Sequence, residues 1–135
     1  MKLEMPQLLK TMVERKASDL HLTVGRSPTI RVSGDLIPIV KKPPLRPEDS
    51  VGLLLEILTA ENKERFWQNK ELDFSYTAGA ALRFRGNAFF QRGLVGVALR
   101  LIPSRIRGLD ELNLPEQLTD FARREQGFFL AVGPV

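Results

Sequence analysis

The sequence contains no cysteine and only one histidine, His21. Disulfide bonds and thiolate metal sites are therefore excluded, as are zinc sites built on paired histidines. No apolar run approaches the roughly 20 residues that a membrane-spanning helix requires. The N-terminus is interrupted by charges and lacks the apolar core of a signal peptide. We therefore expect a soluble, cytoplasmic protein without a metal site.

Neither basic nor acidic residues are in large excess. The 20 basic and 16 acidic residues leave a net charge of +4 and are interspersed along the chain. There is no dense basic run and no RNA-binding aromatic signature, so the charge pattern does not favour a nucleic-acid partner. The length of 135 residues and the hydrophobic content of 43% indicate one core domain with an appendage.

Hydrophobic periodicity in the first hundred residues predicts strands at both ends and helices between them. The spacing predicts helices over 5–16, 47–58 and 59–67, the second with Val51, Leu54, Leu55 and Leu58 on its apolar face and the third capped by Thr59. Strands are predicted over 19–24, 30–32, 36–40, 72–76, 82–91 and 94–102. This order indicates an α+β domain in which an antiparallel sheet carries helices on one face.

The last thirty residues have a different character. Residues 103–113 lose the periodicity and indicate a linker, and 115–124 predict a short helix. The run Phe128–Val132 is apolar on both faces, which is typical of a strand in the middle of a covered sheet. Because no remaining segment could pair with that strand, we expect the chain to end inside a second domain.

Arg92-Gly93 separates two alternating runs and predicts a two-residue hairpin turn. The register that follows places apolar residues and one glycine on one face, namely Phe84, Gly86, Ala88, Phe90, Val95, Val97, Leu99 and Leu101. On the opposite face it sets Arg85 directly across from Arg100. Arg83 lies on that same face near the end of the strand, and Arg92 lies in the turn.

Two opposed arginines repel each other, by roughly 4 kcal/mol at 4 Å in a half-buried site. An anion between the two guanidinium groups would replace this repulsion by bidentate attraction, and phosphate matches the arginine fork best. In the alternative interpretation, both side chains extend into solvent or pair with nearby carboxylates. No catalytic motif is visible, and His21 on the outward face of the first strand is interpreted as structural.

Several segments, in matching order and spacing over essentially the whole chain, resemble the twitching-motility (PilT-type) ATPases of the type II/IV secretion ATPase family. They are Ala17–Leu22, Ile30–Leu36, Glu71–Tyr76, Arg83–Phe89 and Arg100–Ser104. The resemblance implies a PAS-like N-terminal domain over 1–102, a linker over 103–113, and the first helix and strand of a RecA-like ATPase domain over 114–135. In the family that strand leads into the Walker A loop, so we expect the chain to be cut off before this loop. Val135 stands where the family has threonine.

The resemblance also implies roles for particular residues. Arg85 and Arg100 match arginines that the family places against the γ-phosphate of ATP, with Arg83 and Arg92 as secondary candidates. ATP and Mg²⁺ are implied for the intact protein; no cofactor and no catalytic residue are expected within these 135 residues. The implied assembly is a homohexamer whose partners are its own C-terminal domain, the neighbouring subunits and a platform protein at the inner membrane.

The implied function is pilus retraction, with the linker near 103–108 as the hinge between the two domains. Retraction is favoured over extension because the ASDLHL motif begins at residue 17, whereas extension motors carry an extra leading domain. Two alternatives stay open. One is a stand-alone PAS-like sensor or binding module, and the other is the N-terminal domain of a pilus-extension or type II secretion ATPase.

Overall fold

Six antiparallel strands form one sheet in the computed structural model, which describes residues 3–39 and 42–133. The strands are β1 (Asp19–Leu22), β2 (Thr29–Val32), β3 (Asp35–Pro38), β4 (Glu71–Ala78), β5 (Leu82–Gln91) and β6 (Leu94–Ile102). Their order across the sheet is β3-β2-β1-β6-β5-β4. The first strand therefore lies beside the last, in the centre of the sheet, which confirms the predicted antiparallel α+β architecture.

Three helices pack with the sheet around one core, namely α1 (Met5–Glu14), α2 (Pro47–Ile57) and α3 (Ala60–Asn69). Thr59 caps α3 as predicted, because its side chain accepts a hydrogen bond from the backbone N–H of Asn62. From the sheet, Leu20, Phe84 and Leu99 are at most 1% exposed and join the buried residues of the helices. The opposite face, called here the outer face of the sheet, carries the odd-numbered residues of β1 and β5 and the even-numbered residues of β6.

The buried face of α2 agrees only in part with the predicted one, because Leu54 and Leu58 are buried as predicted. Val51 and Leu55 are only half-buried, whereas Leu53 and Ile57 are buried. Ser50 is also fully buried, and its hydroxyl donates a hydrogen bond of 2.7 Å to the carbonyl of Val95. A polar residue thus belongs to the buried positions of α2, which the predicted apolar face did not include.

Two predicted strands are shorter in the structure. β1 ends at Leu22, and Val24 instead forms an isolated parallel bridge with Leu45. β3 ends at Pro38, and the predicted end at Val40 lies outside the described residues.

The chain divides into two units, Met1–Ser104 and Arg105–Val135. The second contains α4 (Gln117–Ala122), which is shorter than the predicted helix over 115–124. The prediction of a strand over Phe128–Val132 is wrong for the described structure, which has no regular element there. Phe128 and Val132 are 89% and 85% exposed. A strand requires a neighbour for its backbone groups, and none pairs with this segment in the described part of the unit.

No helix within the described ranges is both long enough and apolar enough to span a lipid bilayer.

Candidate functional site

The β5–β6 hairpin has the predicted register, with Arg85 opposite Arg100. Arg92 and Gly93 form its turn with φ values of 53° and 77°, the positive pair that a type I′ turn requires. The predicted core face is confirmed, because Phe84, Ala88, Val97 and the other apolar members of that face are buried or half-buried. The outer face therefore carries both arginines.

The hairpin register also fixes the spacing of the two arginine backbones. In a two-residue hairpin the residues flanking the turn form a hydrogen-bonded pair, and such pairs recur at every second position. Gln91–Leu94 is the first such pair, so Arg85–Arg100 is another. Hydrogen-bonded pairs have Cα atoms about 5.5 Å apart. Both side chains are exposed and leave the sheet on the same side.

A row of charges crosses the outer face at this level. Asp19 of β1 lies opposite Arg31 of β2 on one side and opposite Arg100 of β6 on the other. Arg100 in turn lies opposite Arg85, which is followed by Ser75 of β4. Across the sheet the row reads positive, negative, positive, positive and neutral. One carboxylate therefore lies between two of the guanidinium groups, and the third, that of Arg85, has no carboxylate beside it in this row.

Asp19 holds Arg100 in place. Its side chain is only 8% exposed and accepts a hydrogen bond of 2.8 Å from Nε of Arg100, and a second of 2.7 Å from the hydroxyl of Ser18. Nε of Arg31 lies 3.5 Å from the other carboxylate oxygen. Burial acts to raise the pKa of Asp19, but the hydrogen bonds and the arginine charge outweigh it and lower the pKa. The carboxylate is therefore ionised and aims Arg100, whose side chain remains 73% exposed.

Arg85 has no such partner. No carboxylate of residues 3–39 or 42–133 lies within 4.0 Å of its guanidinium nitrogens. Asp73 faces the same cavity but accepts a hydrogen bond of 3.2 Å from the side-chain amide of Asn87. The alternative of carboxylate pairing thus applies to Arg100, which stays accessible, and not to Arg85.

A shallow cavity of about 250 Å³ lies on the outer face and is lined by both arginines, Asp19, His21 and Asp73. Burial lowers the pKa of His21, while the charge of Asp19 acts in the opposite direction. The imidazole is therefore neutral at pH 7. Its Nε2 is buried and has no hydrogen-bond partner in the described structure.

The two secondary candidates lie in different places. Arg83 is exposed on the outer face at the end of β5, opposite Ile102. Arg92 lies in the hairpin turn, seven residues from Arg85, which is about 23 Å along a strand. Arg83 is thus a neighbour of the arginine pair, whereas Arg92 is too far away to contact the same phosphate group.

The chemistry of the arginine pair suits an anion. Two guanidinium groups on adjacent strands offer paired N–H donors that match the oxygens of a phosphate. Within residues 3–39 and 42–133 there is no group of three or more histidine or carboxylate side chains that could hold a metal ion.

Sequence reasoning missed the role of Asp19, because only the pairing of β1 with β6 brings it to Arg100.

Two curated relatives match nearly the whole chain. The type IV pilus ATPase PilU of Pseudomonas aeruginosa is 39% identical over 131 residues, which cover 97% of this chain and 34% of PilU. The type IV pilus retraction ATPase PilT of the same organism is 33% identical over 132 residues, which cover 98% of this chain and 38% of PilT. The chain thus spans little more than a third of the length of these relatives.

Two solved structures of ATPases also match most of the chain. A crystal structure of the pilus retraction motor PilT with bound ADP superposes with a TM-score of 0.77 at 34% identity, covering 90% of this chain and 36% of that one. The ATPase DotB of Legionella pneumophila superposes with a TM-score of 0.71 at 24% identity, covering 91% of this chain and 35% of DotB, and so supports the fold. No protein-family model matches the chain.

Proposed function

Because this chain is homologous to the N-terminal region of the type IV pilus ATPases PilU and PilT, we propose that it is the N-terminal domain of a pilus-retraction motor ATPase. In this proposal a C-terminal RecA-like domain, which follows the linker, binds ATP with Mg²⁺. Six subunits form a cytoplasmic ring against a platform protein of the inner membrane. The ring disassembles the pilus and so drives twitching motility.

The contribution of this chain is an arginine pair that contacts the γ-phosphate of the bound ATP. The observation that carries this proposal is the placement of Arg85 directly across from Arg100, with both side chains exposed on the outer face. Helices α1 to α3 pack into the core on the other side of the sheet. A second domain can therefore approach the outer face without displacing any helix of the first unit.

The charge row explains how the pair would respond to phosphate. At an effective dielectric constant of 20, two like charges 4 Å apart repel by about 4 kcal/mol, and in water by about 1 kcal/mol. Asp19 already compensates Arg100 in part, so Arg85 carries the uncompensated charge. A phosphate group between the guanidiniums supplies the missing negative charge. Its departure restores the repulsion and favours separation of the two domains.

Two further features support the finer parts of the proposal. The order β3-β2-β1-β6-β5-β4, with the first strand central and beside the last, suits a PAS-like domain. The boundary between the two units after Ser104 lies within the proposed linker over 103–113, where a hinge between the domains would be located.

A chimera tests the arginine pair in a complete motor. The N-terminal region of P. aeruginosa PilU, to which 97% of this chain aligns, is replaced by this chain. ATP hydrolysis is then measured for the chimera and for its Arg85→Gln and Arg100→Gln variants. Residues that stabilise transferring phosphate in this way are worth about 10³ to 10⁵ in rate. We expect kcat to fall by at least a hundredfold in either variant, with hexamers still forming.

The matched control is Arg65→Gln, which removes an exposed arginine of α3 from a different part of the unit. Its hydrolysis rate should equal that of the unmodified chimera. Rates within threefold of that chimera for both site variants would refute the proposed contact with the γ-phosphate.

A further inference from the structure

A second cleft opens at the end of the sheet, where β1 separates from β6. The two strands pair only as far as Leu22 and Val97. The chain then turns away to bridge Leu45, whereas β6 extends back to Leu94 and the hairpin turn. The resulting cleft has a volume of about 510 Å³, which is within the range of small-molecule sites, roughly 300–1,000 Å³.

The charged residues that line this cleft are all positive. Arg26 lies on the wall formed by the β1–β2 loop, and Arg92 lies on the wall formed by the β5–β6 turn. Both residues are exposed. No aspartate or glutamate lines the cleft, and neither guanidinium has a carboxylate within 4.0 Å among the residues that the structure describes.

Both walls are held by local backbone structure. The loop that carries Arg26 is tied to Leu45 by two hydrogen bonds: the N–H of Gly25 donates to the Leu45 carbonyl over 2.8 Å, and the N–H of Leu45 donates to the Arg26 carbonyl over 2.9 Å. Leu45 is itself 2% exposed, so this anchor belongs to the core. On the other wall, the two-residue turn fixes the backbone of Arg92. The backbone segments that carry the two arginines therefore need not reorganise when a ligand binds in the cleft.

The backbone of Arg92 is strained. Its φ of 53° lies in the left-handed region, which an arginine adopts at a cost and which asparagine or glycine adopts readily. At this position of a type I′ turn asparagine is the preferred residue. Replacing Arg92 by asparagine would therefore relieve the strain of the turn.

We propose that the cleft binds a small phosphorylated molecule, with its phosphate groups held between Arg26 and Arg92. Each guanidinium can offer two parallel N–H donors to phosphate oxygens, and a multiply charged phosphate balances both positive charges. The side chain of Thr23 supplies a further donor, and Val24 and Leu94 give the uncharged part of the ligand an apolar surface. Since Arg92 lies about 23 Å along the strand from Arg85, this site is separate from the proposed γ-phosphate contact.

The test is a titration of the 135-residue chain with inorganic pyrophosphate, followed by the amide resonances of its glycines. Gly96 lines the cleft and Gly93 lies in its turn, whereas Gly86 lines the cavity of Arg85 and Arg100. We expect Gly93 and Gly96 to shift along one saturating curve, and Arg26→Gln to weaken that curve by about ten- to a hundredfold. Binding at the cleft can therefore be distinguished from binding at Arg85 and Arg100, because the resonance of Gly86 reports on that arginine pair independently.

Arg92→Asn is the decisive variant because it removes the guanidinium and relieves the strain of the turn. We expect it to abolish the saturating curve while the thermal midpoint of unfolding stays the same or rises. Arg65→Gln, on α3, should leave the curve unchanged. Three results would overturn the proposal: fixed Gly93 and Gly96 resonances up to 10 mM pyrophosphate (about 2.7 kcal/mol of binding free energy), unchanged affinity in Arg92→Asn, or tighter binding of succinate, which would indicate a carboxylate ligand.

Discussion

Replacing Asp19 by asparagine removes the negative charge that the guanidinium groups of the outer face share. Asparagine has nearly the same shape and keeps one acceptor oxygen, so the change isolates the charge. Hydrogen bonds to charged groups contribute about 1.5–3 kcal/mol each. The Asp19 carboxylate accepts two, from Arg100 over 2.8 Å and from Ser18 over 2.7 Å.

The expected loss is smaller than the sum of these contributions. The Arg100 side chain is 73% exposed, and pairs at such sites are worth only about 0–1 kcal/mol because water screens them. The bond from Ser18 is more sheltered and is partly retained by asparagine. We expect Asp19→Asn to lower the free energy of unfolding by about 2 kcal/mol, which corresponds to roughly 10 °C in the thermal midpoint of a unit of this size.

The pH dependence identifies the charge as the cause. The pKa of Asp19 in the folded chain is lowered, because hydrogen bonds from Ser18 and Arg100 outweigh the effect of burial. A carboxylate with a lowered pKa stabilises the fold above its unfolded pKa of about 3.9, and this stabilisation is lost as the pH falls through the folded value. The difference between the wild type and Asp19→Asn should therefore be constant from pH 5 upwards and shrink below pH 4.

Urea unfolding followed by the fluorescence of Trp67 measures this difference. Trp67 is the only tryptophan and lies on α3, so the signal reports on the first unit. Asp73→Asn is the matched control, because Asp73 is an exposed carboxylate of the same face and should contribute less than about 0.5 kcal/mol. Equal losses in the two variants, or a difference that persists at pH 2.5, would show that Asp19 does not act through its charge.

Three further substitutions test the packing that positions the site, each by urea unfolding with Trp67 fluorescence. Gly86→Ala places a Cβ 2.4 Å from the ring of Phe74 and should lower the free energy of unfolding by about 1–3 kcal/mol. Adding Phe74→Leu should restore part of this loss. An unchanged stability in Gly86→Ala would mean that the ring does not cover the glycine. Ser50→Ala removes the buried donor to the Val95 carbonyl and should cost about 1–3 kcal/mol, whereas Ser50→Thr keeps the hydroxyl donor and should cost less. Thr59→Ala should cost about 1 kcal/mol through loss of the α3 cap, and Thr59→Asn should cost almost nothing.

The arginine pair was predictable because it depends on local structure. A two-residue turn at Arg92-Gly93 fixes every pairing in the hairpin, so the distance of fifteen positions between Arg85 and Arg100 is no obstacle. The contact between Arg100 and Asp19 was not predictable, because the two residues are 81 positions apart. Only the packing of the whole domain decides which strand lies beside β6.

Periodicity failed where something other than apolar area decides the structure. In α2 the buried hydroxyl of Ser50 donates to the Val95 carbonyl, and an apolar spacing contains no information about such a bond. In the second unit the composition of Phe128–Val132 favours a strand, but a strand exists only when a neighbour accepts its backbone hydrogen bonds. The sequence predicted a two-residue turn at Arg92-Gly93 without its type, and the positive φ at both residues identifies the turn as type I′.

The two arginines of the outer face differ in what holds them, and this difference determines how an anion would bind. Arg100 donates a hydrogen bond to an ionised Asp19, so part of its side-chain freedom is already lost before binding. Arg85 has no carboxylate partner in the described residues and must lose up to about 2 kcal/mol of side-chain entropy when it closes on a ligand. In the proposed function, a phosphate group would therefore order Arg85, and loss of the phosphate would release it. The contact of Asp19 with Arg100 alone would thus make Arg85 the guanidinium that moves in the proposed function.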